Sequence, residues 1–175
     1  MRTCTRERSP PRSWRGRSRS RRPPSPRSRA GPRSRSTCTG ENLYRLDGFA
    51  ALIDRGGVDI LAPDIQKVGG LGDTRRIAAY SDVHSRPLAP HNIAGPIGTL
   101  ASAHVCASIP NFLALEWHAA SVPFFDELVT LGRSVIADGY VMLPDGPGIG
   151  AELDLDACRR YARPGEPFFD EPGPS

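Results

Sequence analysis

From residue 37 onward, apolar positions fall into short clusters of two kinds. Val58–Ala62 is a compact run bounded by Pro63-Asp64 and followed by Gly69-Gly70. It is too short for a helix, so it predicts a buried strand with a turn behind it. Pro87–Pro90 predicts a second strand, ending at His91. Phe112–Leu115 predicts a third, ending at Glu116. Between them the spacing becomes helical. Ile77, Ala78 and Tyr80 give an apolar side to a helix over 74–84, with Asp73 as its cap. After the loop Asn92–Pro96, residues Ile97, Leu100, Ala101, His104 and Val105 mark a helix over 97–108. Upstream, Leu46, Phe49, Ala50, Leu52 and Ile53 mark another, preceded by Gly40-Glu41-Asn42. Arg33–Thr37 holds no apolar residue, so no strand is readable just ahead of Glu41. Downstream, Val135–Leu143 predicts a hairpin turning at Asp138-Gly139. Pro144–Gly150 reads as a loop, and Leu153–Tyr161 as a short helix with Asp154 near its start.

Polar side chains punctuate this pattern at residues 41, 64, 91 and 116, separated by 23, 27 and 25 residues. The last three each end a predicted strand, and a helix separates successive members. That is the period of a βα unit in a (β/α) barrel, where functional groups sit at the C-terminal ends of strands. A doubly wound sheet also alternates strand and helix. However, no Gly-rich phosphate loop follows a strand: the Gly69-Gly70 pair lies in VGGLGD (68–73), which lacks GxGxxG spacing and reads as a plain turn.

Charge divides the chain. Residues 1–36 hold 13 Arg and one acidic residue, Glu7; the rest holds 10 basic and 18 acidic residues. The net charge of +4 therefore averages a basic arm with an acidic domain. Arg, Ser and Pro make up 27 of the arm's 36 residues, and Val, Ile, Leu and Phe are absent. Such a segment cannot offset chain entropy by burial and is expected to be disordered. Three segments result: the arm 1–36, a folded domain 37–163 and a frayed tail 164–175. The arm has two competing readings. Its Arg-Ser dipeptides suit an RNA-binding or scaffold role. Alternatively, a shifted reading frame or misplaced start has put it where part of a fold belongs, and nucleic acid is then not a partner.

No apolar run approaches the ~18 residues of a membrane span. The N-terminus also lacks the apolar core of a secretory signal. Cys4, Cys38, Cys106 and Cys158 form no CxxC pair, which suits reduced thiols in a cytoplasmic protein.

Glu41, Asp64, His91 and Glu116 at one mouth suit acid/base work. A carboxylate holds a neutral His in one tautomer and stabilises its protonated form. A further carboxylate suits a hard divalent cation. At this point the sequence resembles a family. TGENLY (39–44), PDIQKVGGLGDTRRIAAYSD (63–82), LAPHNIAGPIG (88–98), LALEWHA (113–119) and GYVMLPDGPGIGAELD (139–154) are together similar to the C-terminal barrel half of the mandelate racemase/muconate lactonizing enzyme family, in the enolase superfamily. Within that family the likeness is greatest to galactonate-dehydratase-like acid-sugar dehydratases.

The resemblance implies an α/β fold, the C-terminal portion of a TIM-like (β/α)7β barrel. It implies Mg²⁺-dependent abstraction of the proton α to a carboxylate of a small sugar acid. A racemase or epimerase of the same superfamily is the alternative. By resemblance, Glu41 is a Mg²⁺ ligand, His91 the general acid/base, Asp64 its partner, and Glu116 the group that hydrogen-bonds substrate. His118 follows on the same strand-end loop and reads as a solvated loop residue, with a place facing the site as the alternative. Lys67, the chain's only lysine, reads as positional. The family also has a capping domain and two further carboxylate ligands, which this sequence does not show. The isolated chain is therefore expected to be inactive or very weak. Homo-oligomerisation through unpaired strand edges is left open.

Overall fold

The computed structural model describes residues 36–165, 167 and 168. The basic arm, apart from Ser36, and most of the tail 164–175 lie outside the described residues. In chain order the elements are β1 (Cys38–Thr39), α1 (Arg45–Asp54), β2 (Ile60–Leu61), α2 (Gly70–Val83), α3 (Pro96–Ala107), β3 (Val129–Thr130), β4 (Ile136–Ala137), β5 (Tyr140–Val141), β6 (Glu152–Leu153) and α4 (Leu155–Arg160).

The predicted strands line up as one parallel strip. β1 pairs with β2 in parallel, with Cys38 opposite Ile60 and Thr39 opposite Leu61. Parallel bridges then run from Leu61 to Leu88 and from Leu88 to Phe112. The ladder continues through Ala62 N donating to Thr39 O (2.9 Å), Ala89 N to Leu61 O (2.8 Å) and Leu113 N to Leu88 O (2.8 Å). So a strand does precede Glu41, where the apolar pattern predicts none. Its two residues are exposed, which is why no hydrophobic run marks it.

A helix follows each of the first three strands of the strip, as the alternation predicts. Their apolar faces meet the strip in one core. Phe49 and Ile53 from α1, Ile77 and Ala78 from α2 and Val105 from α3 pack with Val58, Leu61, Ile65, Val68, Leu88 and Ile109. Leu61 and Leu88 are fully buried, as expected of strands covered on both faces. The last strand differs: Phe112 and Leu113 are 42% and 55% exposed, so that edge of the strip is open.

Two helix starts need comment. α3 begins with Pro96 in its first turn, where proline's missing N–H costs nothing. α2 begins at Gly70, four residues before the predicted start, and Asp73 does not cap it. Gly69 and Gly70 have φ of +118° and +83°, so the pair turns the chain directly into the helix. Asp73 lies inside the first turn, where its Oδ1 accepts a hydrogen bond from Arg76 Nη1 at 2.7 Å.

The C-terminal third forms a second cluster, in which Leu100 of α3 packs with Phe125, Val129 and Val135. β4 and β5 form the predicted hairpin. Asp138 and Gly139 both have positive φ, as a type I′ turn requires. β3 pairs antiparallel with β6, a non-local contact that the local pattern did not reveal. Asp154 does cap α4, its Oδ1 accepting from Ala157 N at 2.9 Å. No described helix is long and apolar enough to cross a membrane.

Candidate active site

The four regularly spaced polar residues lie just beyond the C-terminal ends of the four parallel strands, and two of them, Glu41 and Asp64, bear on the imidazole of a third, His91. Each is placed by local structure. Gly40 has φ of +129°, and a Cβ there would come within 2.7 Å of the Phe49 ring. Only glycine lets the chain pass so close to that buried ring and deliver Glu41 beyond it. Asp64 follows Pro63 at the end of β2 and is 2% exposed. Its carbonyl accepts from Lys67 N (3.0 Å) and Val68 N (2.8 Å), closing the turn after the strand. His91 follows Pro90. Behind it, Asn92 is locked: its Nδ2 donates to Thr99 Oγ1 at 3.1 Å, and its Oδ1 accepts from Ala94 N at 3.3 Å. Glu116 is tied to the neighbouring strand through its N–H, which donates to Pro90 O at 3.1 Å.

His91 is the centre of the group. Its Nδ1 lies 3.0 Å from Asp64 Oδ2, and its Nε2 lies 3.1 Å from Glu41 Oε2. The other Asp64 oxygen accepts from Gln66 N at 3.0 Å, so the carboxylate is held from two sides. An ionised Asp64 can only accept, which puts a proton on Nδ1. Nε2 is then the nitrogen toward Glu41, 3.1 Å away, and it offers a lone pair when that half-exposed carboxylate turns aside. Lys67 Nζ approaches Asp64 Oδ2 at 3.5 Å, so the positional lysine sits beside the buried carboxylate.

His118 is an exposed loop residue, as expected, and it also reaches the site. Its Nε2 lies 2.8 Å from Glu116 Oε1, and its ring centroid is 5.6 Å from that of His91. Spacing alone could not show this, because two residues beyond a strand end leave the direction of a side chain open. Glu116 also acts across the strip. Burial, and secondarily the negative charge of Glu116, push the Cys38 thiol up from its ordinary range.

Ligand atoms of His91, Glu116 and His118 all lie within 4.8 Å of one another, so these three form a group able to hold a metal ion. The set is two nitrogens and one oxygen. Mg²⁺ prefers near-octahedral oxygen ligation. Glu41, the expected Mg²⁺ ligand, has its oxygens against His91 Nε2 and Asn42 Nδ2. Glu41 thus offers Mg²⁺ a single carboxylate and does not by itself assemble that ion's centre. A separate cavity of about 590 Å³ lies between α3, the open strand edge and the β4–β5 hairpin. Phe112, Leu113, Trp117 and Tyr140 help line it, and none of Glu41, Asp64, His91 and Glu116 does.

A parallel βα strip with acid/base side chains at the strand ends is the architecture of a (β/α)-barrel enzyme portion. Residues 27–157 match the family described as Enolase C-terminal domain-like, and the chain belongs to that family. D-xylonate dehydratase of Haloferax volcanii is 46% identical over 132 residues, covering 75% of this chain and 32% of that protein. Muconate cycloisomerase 1 of Rhodococcus opacus is 35% identical over 112 residues, covering 62% of this chain and 29% of that protein. The crystal structure of a mandelate racemase/muconate lactonizing enzyme-like protein from Rubrobacter xylanophilus superposes with a TM-score of 0.75 at 42% identity, covering 78% of this chain and 35% of that one. The chain spans about a third of the length of the relatives it matches. The expected enolase-superfamily resemblance and the barrel-portion fold are thereby established. Among the described residues, the parallel strip does not close into a barrel.

Proposed function

We propose that this chain carries the base-bearing portion of an acid-sugar dehydratase of the enolase superfamily. The observation that carries this reading is the buried Asp64–His91 contact at 3.0 Å, which leaves Nε2 as the nitrogen with a lone pair to offer. His91 Nε2 takes the proton from the carbon next to the substrate carboxylate. Its Nδ1–H stays on Asp64, which orients the ring and stabilises the imidazolium. Glu116 faces the substrate and hydrogen-bonds the enediolate or carboxylate. The enediolate then expels the β-hydroxyl, which takes the proton now held on His91 Nε2 and leaves as water; the resulting enol tautomerises to the 2-keto-3-deoxy acid. The likeness to D-xylonate dehydratase supports an aldonate as substrate.

In the whole enzyme Glu41 would supply one carboxylate ligand to Mg²⁺, an ion that would stabilise the enediolate's negative charge. The isolated chain is then inactive or very weak, because one carboxylate is too few for that ion. The test is a chimera in which the 132 aligned residues of this chain replace their counterpart in the Haloferax volcanii enzyme. Dehydration of D-xylonate that His91→Asn abolishes supports the assignment. Unchanged turnover in that variant would refute it. Family-like turnover by the isolated chain with Mg²⁺ would refute the expectation of inactivity.

A further inference from the structure

The His91, Glu116 and His118 cluster has a chemistry of its own. Two imidazoles and one carboxylate form the ligand set of zinc and other late first-row cations, not of Mg²⁺. The donor atoms lie within 4.8 Å of one another. Around a tetrahedral Zn²⁺ with bonds of about 2.0–2.1 Å, donors sit roughly 3.4 Å apart, so the side chains must close by ~1.4 Å at most. Glu116 and His118 are 45% and 53% exposed at their side chains, so both are free to swing. They also start 2.8 Å apart. His91, by contrast, is already fixed.

A second observation comes from behind the cluster. Metal-ligating histidines donate their other ring N–H to a carboxylate, which fixes the tautomer and sharpens the lone pair. Asp64 does this to His91: it is 2% exposed, contacts Nδ1 at 3.0 Å, and is itself held by Gln66 N at 3.0 Å. Nε2 is thereby left as the ligand atom. Glu41 Oε2 lies 3.1 Å from that nitrogen but falls outside the three-residue group, so the fourth position is left to solvent.

We infer that His91 Nε2, Glu116 and His118 Nε2 form a binding site for a late first-row divalent cation of the zinc type. A bound ion would take the Nε2 lone pair that the proposed proton abstraction uses, so the two uses exclude each other at any moment, and the test reads metal binding alone. The full reduced chain is titrated with Co²⁺, followed by visible absorption, and with Zn²⁺ against a chromophoric chelator. One equivalent is expected to bind, with Co²⁺ bands typical of nitrogen and oxygen ligation and no thiolate charge-transfer band. His118→Ala and Glu116→Gln are each expected to weaken Zn²⁺ binding at least ~10-fold, and Asp64→Asn about 10–100-fold. Cys38→Ser leaves it unchanged, and a large excess of Mg²⁺ does not displace the ion. The proposal is overturned if wild type binds no Zn²⁺, if His118→Ala binds like wild type, or if Cys38→Ser removes the binding.

Discussion

Asp64→Asn keeps the shape of the buried side chain and changes only its hydrogen-bonding capacity. Asp64 accepts twice, from Gln66 N and from His91 Nδ1, each at 3.0 Å. Asparagine has one accepting oxygen and one donating NH₂. With its NH₂ toward Gln66 N, two donors oppose each other in a buried place, at a cost of about 1–3 kcal/mol. The favoured orientation keeps the oxygen on Gln66 N and turns the NH₂ to His91 Nδ1, which must then accept. The ring proton moves to Nε2, where Glu41 Oε2 lies 3.1 Å away. The lone pair that proton abstraction needs now points into the protein. In a serine-protease triad the same exchange of tautomer costs about 10⁴-fold in rate, or roughly 5.5 kcal/mol of barrier. A loss of about 10³–10⁴-fold is therefore expected in the chimera. Stability should fall by only about 1–2 kcal/mol, since charge-assisted bonds become neutral ones. Long-range ¹⁵N–¹H correlation of the neutral ring in the 175-residue chain reads the tautomer directly. Wild type should show Nδ1–H and the variant Nε2–H. An unchanged tautomer with full activity would refute the reasoning.

Three further outcomes test packing and local structure. Leu88→Ala empties a fully buried position bridged to both Leu61 and Phe112, and should cost about 2–5 kcal/mol in urea unfolding. A cost well under 1 kcal/mol would mean that the central strand is not packed as described. Asp154→Ala removes the α4 cap bond to Ala157 N and should cost about 0.5–2 kcal/mol, with faster amide exchange confined to α4. Burial pushes the Cys106 thiol up to about 12, so it stays protonated and unreactive at pH 8 in the folded chain. Exposed Cys38 should alkylate with iodoacetamide well before Cys106, and equal rates would contradict the buried placement.

The parts of the fold readable from sequence were those written in local patterns. Val58–Ala62 and the i, i+3, i+4 runs around Ile77 and Leu100 carry their own burial in their spacing, and the structure buries them. The intervals between Glu41, Asp64, His91 and Glu116 followed from the βα period, since each residue lies just past a parallel strand. Failures had physical causes. β1 is two exposed residues held by backbone pairing to β2, and such pairing leaves no hydrophobic mark. β3 and β6 meet across more than 20 residues, beyond the reach of any local window. Asp73 looked like a cap because acidic residues favour helix starts, but Gly69 and Gly70 had already turned the chain into α2. The contact of His118 with Glu116 was not legible, because it depends on side-chain direction in an irregular loop.

The role of His91 as the base is tested most directly by isotope. The chimera is given D-xylonate deuterated at the carbon next to the carboxylate, and formation of the 2-keto-3-deoxy acid is followed. The expected result is turnover slowed by a primary deuterium effect in the parent, and turnover at least ~10³-fold lower in His91→Asn. His91→Asn turning over at the parent rate, with the same isotope effect, would contradict the assignment.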